Sequence, residues 1–383
     1  MNSRERFNAI MKFEPCDRSL DWENGIWLTT VDEWYRQGLP KQEGEPDSIN
    51  VTGKIYFSIL DSFLNMDEPS QAIPVNMFPV PEFPYEIFEE NDKYIVAQNE
   101  WGIKMKVAKN GDTMPQFLER PVKNKIDFEK LKERFKPYLE KRYPENWNER
   151  LLEYKNRTYP LSASDFPFGI FGFARELLGA EGLFYAFHDE PELVKDIMNF
   201  TVDYLISIWE KGLVEAKPDF FRIWEDMAYK CGPLISPQLF REFMLEPYKK
   251  LTGFIKDCGC NNILVDCDGY CMELIPLFIE GGVTGMYPFE CMSGMDVVEV
   301  RKCFPRLQML GGINKRALAA GKKEIDIELE YKIDSIISFG GYIPHADHFV
   351  PPDVSWENFL YYRLKLKELL CKNPVRGTYS AAL

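Results

Sequence analysis

Asn262-Ile263-Leu264-Val265-Asp266-Cys267-Asp268-Gly269, then Val283-Thr284-Gly285-Met286-Tyr287, then Leu307-Gln308-Met309-Leu310-Gly311-Gly312: these are short apolar runs, each followed by acidic or turn residues and separated by helix-length spacers. Such runs are too short for buried helices and read as fully buried strands. Similar runs lie before and after them, at Tyr159 to Ala163, Phe220 to Trp224 and Gly341 to Pro344. The helices between have legible starts: Asp189 with Pro191 and Glu192, Ser236-Pro237, Asp296 with Glu299, and Ser355. Strands alternating with helices predict a parallel sheet with helices outside, a (β/α)8 TIM-type barrel. A doubly wound open sheet is the alternative, but no Gly-x-Gly-x-x-Gly turn follows the first strand.

Toward the N-terminus the pattern changes. Residues 3–12 place Phe7, Ile10 and Met11 on one helical face, with Ser3 as N-cap. A short strand is expected over Ser19 to Asn24, and a helix carrying Val31, Trp34 and Tyr35 follows. Residues 40–82 are irregular and Pro-rich, and residues 85–122 alternate with the two-residue period of an antiparallel β-meander, with turns at Asn91-Asp92 and Asn110-Gly111. A charged surface helix is expected from Asp127 to about Arg142. We read 1–383 as one barrel domain in which 40–150 forms an irregular and meander insertion.

Composition narrows the function. A net charge of -14 argues against a nucleic-acid partner. No apolar run reaches the roughly 18 residues of a membrane span. The polar start Met1-Asn2-Ser3-Arg4-Glu5-Arg6 lacks the apolar core of a signal peptide, and the nine cysteines form no regular framework, so a cytoplasmic protein is expected. Cys258, Cys260, Cys267 and Cys271 do not make a zinc set. They flank a strand that spans about 16 Å, too far for sulfurs at about 2.3 Å from one ion.

In a barrel, chemistry sits where strands end. The polar residues there are Glu23, Asn24, Asp165, Glu225, Asp226, Asp266, Asp268, Glu290, Asn314, Lys315, His345, Asp347 and His348. Two of the three histidines of the chain fall in Pro344-His345-Ala346-Asp347-His348, a Gly- and Pro-bounded loop. Asp268, His345, His348, Glu225 and Glu290 are the expected catalytic residues, because ionisable clusters at strand ends suit acid–base work. Asp266, Asp268 and His348 are the expected metal ligands, if the mouth holds a metal.

Arg4-Glu5-Arg6-Phe7, Glu14-Pro15, Asp17-Arg18, Pro167-Phe168-Gly169, Cys231-Gly232-Pro233-Leu234-Ile235-Ser236-Pro237 and Leu310-Gly311-Gly312-Ile313-Asn314-Lys315 together resemble the uroporphyrinogen decarboxylase superfamily, in order along nearly the whole chain. The resemblance implies a (β/α)8-type barrel, a homodimer, and either decarboxylation or methyl transfer. The decarboxylases hold porphyrinogen carboxylates with arginines after the first strand; here Asp21-Trp22-Glu23-Asn24-Gly25-Ile26-Trp27 contains none. The methyltransferase branch is therefore expected: methyl transfer between a small-molecule, folate or thiol substrate and a separate corrinoid protein, since the chain has no Asp-x-His-x-x-Gly corrinoid signature. Its zinc members use a His-x-Cys pair that matches Asp266 and Asp268, and a last cysteine that falls near Gly341. Either the site is metal-free, or zinc is held by oxygen and nitrogen from Asp266, Asp268 and one of His345 and His348. A decarboxylase acting on a less anionic acid is the alternative, and a non-catalytic binding protein the third reading.

Overall fold

The computed structural model describes residues 1–40, 64–109 and 114–377. The expected turn at Asn110-Gly111, and 41–63 of the irregular stretch, lie outside the described residues. The strands in chain order are β1 (Gln71–Ala72), β2 (Glu86–Glu90), β3 (Tyr94–Gln98), β4 (Lys104–Ala108), β5 (Gln116–Glu119), β6 (Leu161–Ala163), β7 (Phe220–Trp224), β8 (Ala228–Tyr229), β9 (Gly232–Pro233), β10 (Ile263–Asp266), β11 (Gly285–Tyr287), β12 (Gln308–Leu310) and β13 (Tyr342–Ile343). Seven of them form one curled parallel sheet in the order β1-β6-β7-β10-β11-β12-β13. The seven follow one another across the sheet in chain order, each pair parallel, as strand–helix units produce. The meander is present as a four-stranded antiparallel sheet, β2-β3-β4-β5.

Strand alternation gives the curled sheet two apolar faces. On the inner face, Phe220, Leu264, Leu310 and Ile343 meet Phe7 and Ile10 of the N-terminal helix Ser3–Met11, with Leu20 and Trp22. On the outer face, Phe221, Ile223, Ile263, Val265, Met286 and Met309 pack under the helices. Each fully buried Phe or Leu contributes about 1.5–3 kcal/mol, so the N-terminal helix is an integral plug rather than an appendage. It starts one residue earlier than expected. Asn2 accepts from Glu5 N and Glu5 accepts from Asn2 N, a reciprocal cap that leaves Ser3 inside the helix.

Residues 19–24 have no strand assignment, contrary to expectation. They are nonetheless held at both sides: Ser19 Oγ donates to Tyr342 O at 2.7 Å, and Asp67 N donates to Asp21 O at 3.3 Å. The expected charged helix 127–142 is broken into Lys125–Lys132, Glu133–Phe135 and Leu139–Arg142, with Pro137 in the interruption, where a helix cannot keep its N–H ladder. Ser236, Asp296 and Ser355 cap their helices as read, whereas the long helix Pro191–Ala216 takes Glu190, not Asp189, as its N-cap. No described helix is long and apolar enough to cross a membrane.

The helix Ile170–Leu178 approaches the end of β7 so closely that only glycine fits. A Cβ on Gly169 would lie 1.9 Å from Trp224 O, and one on Gly172 2.2 Å from the same atom. Gly172→Ala is expected to cost about 2 kcal/mol through overpacking, despite the roughly 1 kcal/mol of helix propensity that alanine brings. Urea unfolding reads the difference, and a wild-type midpoint would contradict this contact.

Candidate active site at the strand ends

The mouth is built by the loops after β10, β11, β12 and β13, the last three of which tie to one another through one buried carboxylate. Asp347 accepts from Cys291 N at 2.9 Å and from Lys315 N at 3.1 Å, joining three loops. Burial raises its pKa above the usual carboxylate value. Lys315 then reaches Glu290 at 3.4 Å, and Glu290 accepts from Gly269 N at 3.1 Å. Glu290 and Lys315 share an open cleft of about 350 Å³ with Asp268, Gly269, Ser293 and Tyr229.

Asp268, which lines that cleft, is half of an acid–base pair. His348 Nε2 lies 3.3 Å from Asp268 Oδ2. The imidazole packs beside two aromatic rings that touch each other, 6.3 Å from Trp27 and 4.8 Å from Phe349. Burial alone would lower its pKa, but the hydrogen bond and charge of Asp268 outweigh that and raise it. The other carboxylate oxygen, Asp268 Oδ1, is buried and has no hydrogen-bond donor. Such an orphaned acceptor calls for an explanation in terms of a ligand or water.

Below this pair, at the end of β10, lies Asp266. Its pKa is pushed well above the carboxylate range, first by burial and then by Asp268, Asp165 and Asp226, against the opposing charge of Arg222. Tyr287, its register partner on β11, is likewise raised by burial. The sequence reading missed Arg222 and Tyr287 as site residues. Their signal was strand parity: Arg222 shares its face with Phe220, and Phe220 faces the inner plug.

Two expected catalytic residues are placed otherwise. Glu225 points into the helix layer, where it accepts from Ile170 N, Phe171 N and Gly172 N at 2.7–2.9 Å and from the Tyr248 hydroxyl. Burial pushes its carboxyl up to about 7 against those bonds. It is a helix-terminus acceptor and does not face the cleft. His345 is buried, with Nδ1 2.8 Å from Ala346 O. A carbonyl only accepts, so Nδ1 carries the proton, and burial lowers the ring's pKa to about 4. It does not join the Asp268–His348 pair. Glu23 is fully enclosed by Ala346 N, Tyr362 and Arg363.

Among the described residues, no group of three His, Cys, Asp or Glu side chains is arranged to hold a metal ion. Cys267 and Cys271 belong to the outer core behind the sheet, so the sulfur donors face away from the mouth. Of the expected ligands Asp266, Asp268 and His348, Asp268 pairs with His348 at 3.3 Å, and Asp266 lies within reach of the charge of Asp268.

His348 also sets a pH dependence. Because the folded chain binds its proton more tightly than the unfolded one, the pair's stabilisation is fully present below about pH 6.5 and is lost as pH rises through the higher folded value. The midpoint gap between wild type and His348→Gln is expected to be wider at about pH 5.5 than at about pH 9. Equal gaps in urea unfolding would contradict the pairing.

A methyltransferase from Methanosarcina mazei has a similar structure, with 16% sequence identity, coverage of 96% of this chain and 99% of that one, and a TM-score of 0.61. A putative vitamin-B12-independent methionine synthase from Listeria monocytogenes is 11% identical over 56% of this chain and 64% of that one, at a TM-score of 0.29 that is too low to bear on the fold. No curated protein sequence matches the chain. The family model described as uroporphyrinogen decarboxylase (URO-D) matches residues 63–363, which takes in every strand of the curled sheet and every residue of the mouth except the N-terminal segment. The chain belongs to the uroporphyrinogen decarboxylase family.

Proposed function

We propose that the chain catalyses methyl transfer between a methylated small molecule and a separate corrinoid protein, at the mouth of a (β/α)8-type barrel closed by residues 19–22. Two hydrogen bonds favour closure, since that segment is bonded on one side to Tyr342 and on the other to Asp67. The observation that carries the reaction is the Asp268–His348 pair: one carboxylate oxygen committed to the imidazole, the other without a donor, on an open cleft. The structural likeness to a methyltransferase is in keeping with this reading. So is the segment 21–27, which has no arginine for a polyanionic substrate.

The corrinoid of the partner supplies the methyl acceptor or donor. This chain binds the small molecule, keeps its methylated end at the mouth, and manages one proton. When the methyl leaves an oxygen, sulfur or nitrogen, that atom takes the bonding electron pair. His348, protonated and oriented by Asp268, gives it a proton from Nε2. In the reverse direction the neutral imidazole removes that proton. Glu290 and Lys315, paired in the same cleft, orient polar groups of the substrate.

Purified protein incubated with free cob(I)alamin and a panel of methyl ethers, thioethers and amines tests the proposal. Methylcobalamin formation that requires the protein supports it. Release of carbon dioxide from a carboxylic acid without any corrinoid would instead support a decarboxylase.

A further inference from the structure

The inner face of the sheet holds a cation that the acid–base pair does not use. Arg222 lies on β7 between Phe220 and Trp224, and its guanidinium sits over the Phe220 ring, 5.3 Å from the centroid. Phe220 belongs to the apolar plug with Phe7, Leu264, Leu310 and Ile343, so Arg222 is the first polar layer above that plug. Its register partner on β10 is Leu264, whereas Asp266 pairs with Trp224. Two residues along a strand are about 7 Å, so Arg222 lies roughly that far below Asp266, with Asp268 and His348 higher still.

This arginine is poorly served for its position. Its polar contacts are Asp165 Oδ2 at 3.5 Å and Ser70 Oγ at 3.2 Å. The Asp165 side chain is 52% exposed, and that of Arg222 is 28% exposed. The comparison within the same fold is clear. Arg363 holds two carboxylates, Asp21 and Glu23, and Trp22 O, Arg142 donates to backbone carbonyls of residues 76, 78, 134 and 136, and Arg175 holds Asp226 at 2.7 Å. A guanidinium has five donors in a fork that matches a carboxylate, and one left with a long ion pair over an apolar floor is placed to receive such a group. The Asp165 carboxylate beside it disfavours ligands of higher negative charge and so selects a monoanion.

We propose that Arg222 anchors the carboxylate of the substrate, so that the mouth takes a methylated carboxylic acid whose anion is bound at the floor and whose methylated end reaches the Asp268–His348 pair. This deepens the methyl-transfer reading and rests on it for the second half only; the anion site stands on Arg222 itself.

Binding of methoxyacetate and of methoxyacetamide to the full chain, by calorimetry or ligand-observed NMR without any corrinoid, separates the two. The acid is expected to bind saturably, at least about tenfold more tightly than the amide, which is about 1.4 kcal/mol. Arg222→Gln is expected to remove that preference by weakening the acid alone, and Arg222→Lys to keep part of it. Equal affinity for acid and amide in the wild type, no saturable binding of the acid, or full acid preference in Arg222→Gln would overturn the proposal. Thermal unfolding checks that each variant folds; if Arg222→Gln does not, the acid-to-amide ratio in wild type and Arg222→Lys decides. Acid preference without methyl transfer would count against the reaction and leave the anchor in place.

Discussion

Asp268→Asn is expected to lower kcat by about 10²–10⁴ while leaving the unfolding midpoint near the wild-type value at about pH 9, where the pair no longer stabilises the fold. The amide keeps the shape of the side chain but removes the charge that raises the pKa of His348. The wild-type rate should fall as pH rises through that raised value, because the protonated imidazole is the donor. In Asp268→Asn this descending limb should move to lower pH. His348→Gln should lose activity to a similar degree, with no such limb. The two residues act as one device, so the double variant should be no slower than the worse single variant. Multiplying losses would mean that Asp268 and His348 act separately. A wild-type kcat in either single variant would remove the pair from the mechanism.

Glu225→Ala is expected to produce the largest loss of stability, with no loss of chemistry per folded molecule. The carboxylate satisfies three N–H groups at the start of the helix Ile170–Leu178 and the hydroxyl of Tyr248, all in the closed layer between sheet and helices. Leaving buried donors without a partner costs about 1–3 kcal/mol each. Entering water recovers part of that, so a net loss of about 4 kcal/mol is expected, a large share of the stability of an ordinary domain. Urea unfolding measures it. kcat normalised to folded protein should stay at the wild-type level, and a kcat defect in a stably folded Glu225→Ala protein would return this residue to the mouth.

Strand-and-helix alternation after residue 158 was legible because every unit carries its own punctuation: an apolar run, a turn, a capped helix. The meander was legible from its two-residue period. The segment 19–22 was harder, since it is held by a side-chain bond and an edge bond rather than by a regular ladder. Among site residues, Asp268, Glu290 and His348 could be found because they follow apolar strands in turn-rich loops. Glu225 obeys the same rule but lies on the opposite side of its strand end, a difference of one residue in a two-residue period. His345 lies three residues from His348 and shares none of its chemistry, because its ring is closed off by the fold. Arg222 sits inside a strand, where a search of loops alone passes over it. Its parity with Phe220 is in the sequence, yet which face is the inner one depends on contacts with Phe7, made across the whole chain.

The most direct measurement is a single turnover with a substrate labelled with ¹³C at its methyl group, free cob(I)alamin, and either wild type or His348→Gln. The account predicts that the label moves to cobalt in the presence of wild-type protein, that the demethylated product appears in equal amount, and that His348→Gln slows both together. Label remaining on the substrate across the whole panel of methylated compounds, or moving at the same rate with and without the protein, would contradict methyl transfer at this mouth.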